Sequence, residues 1–175
     1  MRDVLEIDEN VLVASYGTPD FIWFSPPCQG FSVASIGRNW NLVSGIPIPK
    51  SKTAQMGLQL LTKCFYIVSC FPKAKWAIEN PRGMMRKVIT WHVPRTVTYC
   101  QYGEYRMKPT DIWTNLKTWD PRPACKNGDP CHVRAPRGSR TGTQGYGTVY
   151  DRAALPLELC REVAEAVDEE NGDTA

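Results

Sequence analysis

The chain has 175 residues, 42% hydrophobic and 22% charged, with a formal net charge of +3 and seven cysteines. That length suits one domain able to bury a core, and that balance belongs to a soluble globular protein rather than a disordered or fibrous one. No apolar run reaches the roughly 20 residues of a membrane span, and Met1-Arg2-Asp3-Val4-Leu5-Glu6 lacks the apolar centre of a signal peptide. An odd cysteine count without framework spacing fits a reducing cytoplasm.

In chain order, the first marked stretch is 21-FIWFSPPCQGFS-32. Phe21 to Ser25 reads as a buried strand, and Pro26 and Pro27 end it because neither has an N–H for a ladder. Cys28 then falls just past the strand's C-terminal end, the rim at which open α/β sheets bind ligands. Gln29 to Lys52 reads as a long loop carrying Arg38, Lys50 and Lys52, and such loops are functional or disordered. From Ala54 to Phe71, residues Met56, Leu60, Cys64, Ile67 or Val68, and Phe71 recur at helical spacing. Lys75 to Glu79, stopped by Asn80-Pro81, is a second strand, so strand, helix and strand form a parallel βαβ unit. Cys28 and Glu79 are therefore expected at one rim.

Beyond it, 95-RTVTYC-100 and 111-DIWTN-115 alternate as a strand pair around a turn. Lys117 to Tyr150 is rich in glycine and proline, with Lys117, Arg122, Lys126, Arg134, Arg137 and Arg140 against only Asp120 and Asp129. That balance fits either contact with a polyanion or a solvated loop. Pro156 to Glu170 is a helix with an apolar stripe at Leu159, Val163 and Val167. A lone cysteine is usually a small buried hydrophobe, the reading adopted for Cys64, Cys70 and Cys160. Cys28 differs because its neighbours make a tight polar turn.

PPCQGFS (Pro26 to Ser32) resembles the nucleophile motif of DNA cytosine-5 methyltransferases. Glu79-Asn80 looks like that family's Glu-Asn motif, and Arg106-x-Lys108 resembles its paired basic motif, with lysine for the second arginine and Glu104 where a glutamine is usual. Together with TVTYCQYGEYRMKPTDIWTN and RAALPLELCREV, these stretches look most like the compact versions of bacteriophages and large viruses. The resemblance runs from about Asp3 to Val167. It implies a partial Rossmann-like α/β fold, with an open, mostly parallel sheet, flanking helices and a truncated N-terminus. The implied partition is a catalytic part at 1–116, a DNA-facing insert at 117–150, a C-terminal helix at 151–170 and a disordered tail at 171–175.

The family's chemistry accounts for the residue types. C5 of cytosine is too electron-poor to attack a methyl donor until a thiolate adds to C6, an instance of covalent catalysis. The resemblance makes Cys28 the nucleophile and Glu79 the group that holds or protonates N3, with Arg106 and Lys108 holding O2 or a phosphate. The base must be flipped out of the duplex, with Gln29 to Lys52 as a lid. Gln29 and Ser32 face DNA in the family, and Arg38, Lys50, Lys52, Arg134, Arg137 and Arg140 add phosphate contacts. The implied cofactor is S-adenosyl-L-methionine, bordered by Asp3, Pro26 and Leu60 and by the segment from Arg152 to Pro156. No glycine-rich cofactor turn precedes Cys28. The chain is therefore expected to be a fragment or half of a split enzyme, whose missing segment or partner carries that turn. The competing readings are an inactive DNA-binding relic or a zinc-binding nucleic-acid module built on Cys125, Cys131 and His132, with Cys100 in reach. The C-x5-C-H spacing is not that of a standard zinc finger, so no metal site is assigned. The implied location is the cytoplasm of a bacterial host.

Overall fold

The computed structural model describes residues 3–134 and 148–172. Arg137, Arg140 and much of the expected insert lie outside them. The elements are α1 (Glu9–Tyr16), β1 (Phe21–Phe24), α2 (Ile36–Asn39), β2 (Trp40–Val43), β3 (Ile46–Pro49), α3 (Lys52–Cys70), β4 (Lys75–Pro81), α4 (Met85–Val88), β5 (Arg95–Thr98), β6 (Pro109–Thr114), α5 (Val149–Ala153) and α6 (Leu157–Gly172). Four strands hydrogen-bond in the order β1-β4-β6-β5, and β2 and β3 form a separate pair. The chain is thus a mixed α/β protein with flanking helices and a parallel β1–β4 pair, in register from Phe21↔Lys75 to Phe24↔Ile78. It divides into two compact units, residues up to Pro94 with Ile112–Leu116, and Arg95–Asp111 with the residues from Lys117 on. The stretch expected as one catalytic part, 1–116, is divided between them. Among the described residues no helix is long and apolar enough to cross a membrane.

In the first unit, β4 has a hydrogen-bonded neighbour on each side and is buried from Trp76 through Asn80. Beside it lies the main core of Phe31, Trp40, Leu61, Trp76, Ile78 and Trp113 with Met84 and Met85. Helix α3 is amphipathic as expected, with Cys64, Ile67 and Phe71 of the expected stripe buried, but its first two turns bury other positions. Ala54, Gly57, Leu61, Cys64 and Ile67 are buried, whereas Met56 is 48% exposed. The reason is local. The turn after Cys28 lies against the first two turns of α3, where only small side chains leave room. A Cβ on Gly57 would come within 3.0 Å of the Phe31 ring, and one on Gly30 within 3.1 Å of the Thr53 carbonyl.

The segment expected as an unstructured lid is largely folded. Its middle is the β2–β3 hairpin, in register from Trp40↔Pro49 to Val43↔Ile46. Ser44 and Gly45, at φ 50 and 84, supply the paired left-handed residues that a tight hairpin turn requires. Pro47 and Pro49 disguised the second strand, since proline within a run argues against a strand. Leu42, Val43, Ile46 and Ile48 of this ribbon are exposed.

In the second unit, α6 buries Leu159, Val163, Ala166, Val167 and Glu170. Its helix continues to Gly172, past the point where a disordered tail was expected. Glu170 gives that last turn a reason to stay formed: its Oε1 accepts from the Lys117 and Thr118 N–H groups and from the Thr118 hydroxyl. Glu162, two turns earlier, accepts from Tyr102 Oη and Trp119 Nε1 at 3.1 Å each and pairs with Arg122 at 2.9 Å. Burial, chiefly, pushes the Tyr102 phenol up to about 12.

Ser51 links hairpin and helix. Its hydroxyl accepts from Ala54 N–H at 3.0 Å as the α3 N-cap and donates to Asn39 Oδ1 at 2.8 Å. Ser51→Ala is expected to cost about 1–2 kcal/mol, read as a lower urea midpoint with an unchanged denaturant slope.

Candidate functional site

Cys28 opens a 3-10 turn, Cys28–Gly30, four residues after the end of β1, with Pro27 as its N-terminal cap residue. Its carbonyl accepts from Phe31 and Ser32 N–H at 2.9 and 2.8 Å, which curls the chain back at once. The thiol side of this turn is half-buried, while Gln29 is exposed. Glu79 lies near the end of β4 and is 6% exposed. Continuing the β1–β4 register by one residue sets Ser25 level with Glu79.

Two clasps hold the turn to the end of β4. Asn80 Nδ2 donates to the Pro26 carbonyl at 2.8 Å. Farther along, Met84 N–H donates to the Phe31 carbonyl at 2.7 Å, beside a bridge between Ser32 and Gly83. The approach is so close that a Cβ on Gly83 would lie 2.3 Å from the Phe31 oxygen. The backbones bearing Cys28 and Glu79 are thus brought to one rim of the first unit. Asn80 Oδ1 is buried and has no hydrogen-bond partner among the described residues.

Residues that the sequence assigned to the lid brace the same turn. Ser35 Oγ and Asn39 Nδ2 donate to the Gln29 carbonyl at 2.9 and 2.8 Å, and Trp40 Nε1 donates to the Gly30 carbonyl at 2.6 Å. Ser35, Asn39 and Trp40 are all buried. Sequence reasoning missed these three. Asn39-Trp40, a polar and aromatic pair inside a supposedly solvated loop, was the available signal. Arg38, Lys50 and Lys52 are exposed, and Ser32 is half-buried with its hydroxyl 3.1 Å from that of Ser35.

The residues expected beside the cofactor are spread through the first unit. Asp3 is exposed and caps a 3-10 turn by accepting from Leu5 N–H at 3.0 Å. Pro26 is buried beneath the Asn80 clasp, and Leu60 is half-buried on α3.

Arg106 and Lys108 belong to the second unit. Arg106 is 4% exposed, and its Nε and Nη2 donate to Glu104 Oε2 at 3.1 and 2.9 Å. The residue that departs from the family pattern is therefore the counter-ion of the buried arginine. Arg106 Nη2 also reaches the Asp151 carbonyl at 2.9 Å, and Lys108 Nζ reaches that of Arg152 at 2.8 Å. Both cations thus satisfy carbonyls of α5 that a short helix leaves open. Arg106 Nη1 has no hydrogen-bond partner among the described residues. Arg134 is exposed.

The same unit gathers Cys100, Cys125, Cys131 and His132, whose ligand atoms lie within 4.8 Å of one another. Burial first, then hydrogen bonding to Cys125 and Cys131, pushes the Cys100 thiol up to about 12. Cys64, by contrast, is an isolated core thiol raised to about 11 by burial.

The Gly83 contact gives a clean test of the clasp. Gly83→Ala is expected to destabilise the protein by about 1–3 kcal/mol through overpacking against backbone. Gly37→Ala, whose added Cβ meets nothing within 4 Å, should change the urea midpoint little.

Comparison with curated proteins finds the chain 32% identical over 118 residues to a "Probable DNA (cytosine-5)-methyltransferase" of Frog virus 3 (isolate Goorha). The match covers 64% of this chain and 53% of that protein, so the chain spans about half the length of the curated relative it matches. No family model matches the chain.

Proposed function

Starting from this kinship with a viral probable DNA (cytosine-5)-methyltransferase, we propose that the chain carries the base-activating half of cytosine-5 methylation in DNA. On this reading it adopts part of the Rossmann-like methyltransferase fold. The observation that carries the proposal is the double clasp that holds the Cys28 turn against the end of β4, where Glu79 lies.

Cys28 Sγ, as thiolate, adds to C6 of a cytosine flipped out of the stack, forming an S–C6 bond. The C5=C6 electron pair moves toward N3, where the buried Glu79 carboxyl supplies a proton or hydrogen bond. The ring is then an enamine with a nucleophilic C5. Only after C5 has taken up an electrophile can a base remove the original C5 proton and the sulfur depart, which restores the aromatic ring. Gln29 and Ser32 on the turn, with Arg38, Lys50 and Lys52 around it, take the DNA backbone. Arg134 extends the same role to the second unit. Within the second unit, Arg106 and Lys108, anchored on the α5 carbonyls, carry over from the resemblance as candidates for the base's O2 or an adjacent phosphate.

The methyl donor that this chemistry draws on is S-adenosyl-L-methionine. The described residues do not make a whole cradle for it. Residues 3–20 fold as a 3-10 turn, α1 and a turn at Gly17, without a glycine-rich strand-to-helix turn. Asp3, Pro26 and Leu60 would border the donor only in part, and no step is assigned through it. A further segment or a partner chain is the proposed source of the remainder.

Thiol addition activates C5 even without a donor, because the enamine can take up a solvent proton and then release the original one. The wild-type chain in heavy water is therefore expected to exchange the C5 hydrogen of cytosine in DNA, followed by mass spectrometry of the released nucleosides. Cys28→Ala should fall to the uncatalysed background, and Glu79→Gln should be slower by about 10²-fold or more. Exchange that persists in Cys28→Ala, or that is missing from the wild-type chain with DNA of mixed sequence, would remove the proposal. Calorimetry should find S-adenosyl-L-methionine binding weak or undetectable for the isolated chain.

A further inference from the structure

The cysteine–histidine group of the second unit has no part in the chemistry above. We propose that Cys100, Cys125, Cys131 and His132 form a structural zinc site. Four tetrahedral ligands around zinc, with Zn–S near 2.3 Å and Zn–N near 2.0 Å, place sulfurs about 3.8 Å apart and sulfur and nitrogen about 3.5 Å apart. Here Cys131 Sγ lies 3.7 Å from Cys100 Sγ, and His132 Nδ1 lies 3.6 and 3.5 Å from Cys125 Sγ and Cys131 Sγ. A second sulfur pair, Cys100 and Cys125, is at 3.1 Å, and all four ligand atoms lie within 4.8 Å of one another. These edges enclose one ion and leave no space for a cluster. Three thiolates and an imidazole are a donor set for zinc rather than for magnesium or calcium, which take oxygen.

The surrounding chain holds the ligands in place. Cys100 sits in the 3-10 turn Tyr99–Tyr102, pinned by Tyr102 Oη on Glu162 and by Arg122 Nη1 on the Gln101 carbonyl at 2.8 Å. Cys125 N–H donates to Thr98 Oγ1 at 3.0 Å. A knuckle then reverses the chain. Asp129 N–H donates to the Lys126 carbonyl, the Asp129 carboxylate accepts from Lys126 N–H at 2.6 Å, and Gly128 takes φ 104. The reversal returns Cys131-His132 to Cys125, and Val133 N–H is fastened to the Tyr105 carbonyl at 2.8 Å. Gln101 Nε2 lies 3.5 Å from Cys131 Sγ, a donor of the kind that supports a metal-bound sulfur. Adjacent ligands at 131 and 132 need no strain, because the imidazole enters through Nδ1, the nitrogen nearer its own backbone. Ligation there puts the ring proton on Nε2, so the 3.4 Å contact from Gly128 N–H would lengthen on loading. Each thiol gives its proton to solvent as the ion enters. The site would rivet residues 125–132 to the turn following β5.

The test is metal content of the full chain, expressed in zinc-supplemented medium and purified without chelator. The expected result is about one zinc per chain by elemental analysis, with intense tetrahedral thiolate bands after cobalt replacement. Cys131→Ser and His132→Ala should lose at least ten-fold in zinc affinity, measured by chelator competition. His132→Cys, which restores a four-thiolate set, should keep the metal even if the other two variants fold poorly. Cys28→Ser should keep it too, so this inference stands or falls apart from the methyltransferase reading. A folded chain without zinc and without cobalt bands would overturn the site. So would a Cys100–Cys125 disulfide in protein purified under reducing conditions.

Discussion

The first unit depends on the hydrogen bond from Asn80 to the Pro26 carbonyl and its companion from Met84 to the Phe31 carbonyl. A strand that runs into two prolines has no ladder beyond them, and the residues past that point would wander. Here the neighbouring parallel strand supplies one partner from the Asn80 side chain, and the turn that follows it supplies another from the Met84 backbone. Gly83 permits the approach by having no Cβ, and Phe31 locks it by burying its ring completely over Gly57. The Cys28 turn can then occupy a defined place although its own sequence forms little regular structure.

A second layer of order comes from buried polar groups used as braces. Ser35, Asn39 and Trp40 all aim donors at the Gln29 and Gly30 carbonyls, the acceptors that the turn leaves open. Satisfied in this way, buried polar groups specify one arrangement where apolar packing alone would tolerate several. The second unit relies on the same device with charge added. Glu162 collects Tyr102, Trp119 and Arg122, and Glu104 neutralises the buried Arg106. A lone guanidinium at that depth would be costly, and the carboxylate two residues away removes most of that cost.

Much of this was legible in the sequence. The strand–helix–strand unit, the stop before Pro26 and the C-terminal helix follow from apolar periodicity and from proline's missing donor, whereas β4 runs on through Asn80 and Pro81, where a stop was expected. The resemblance that the comparison with a viral probable DNA (cytosine-5)-methyltransferase supports was readable from short motifs such as Pro26 to Ser32 and Glu79-Asn80. The inward stripe of α3 was read correctly at Cys64 and Ile67 but misjudged in the first two turns, where hydrophobicity favours Met56 and Leu60 whereas close packing favours Ala54 and Gly57. The hairpin was hidden because Pro47 and Pro49 break the usual pattern. All four members of the cysteine–histidine cluster were named from the sequence, but no metal site was assigned because the C-x5-C-H spacing is not that of a standard finger.

The prolines of the hairpin also shape the outer edge of β3. In the β2–β3 register the pairs closing on β2 are Val43↔Ile46 and Asn41↔Ile48, continued by the bond from Lys50 N–H to the Asn39 carbonyl. Pro47 and Pro49 occupy the alternate positions, whose N–H groups would otherwise point outward. The free border of β3 therefore offers no donor along its length, and a stray strand finds nothing there to zip onto. A ribbon with four uncovered aliphatic side chains is an invitation to amyloid-like stacking, and along this border the backbone declines it.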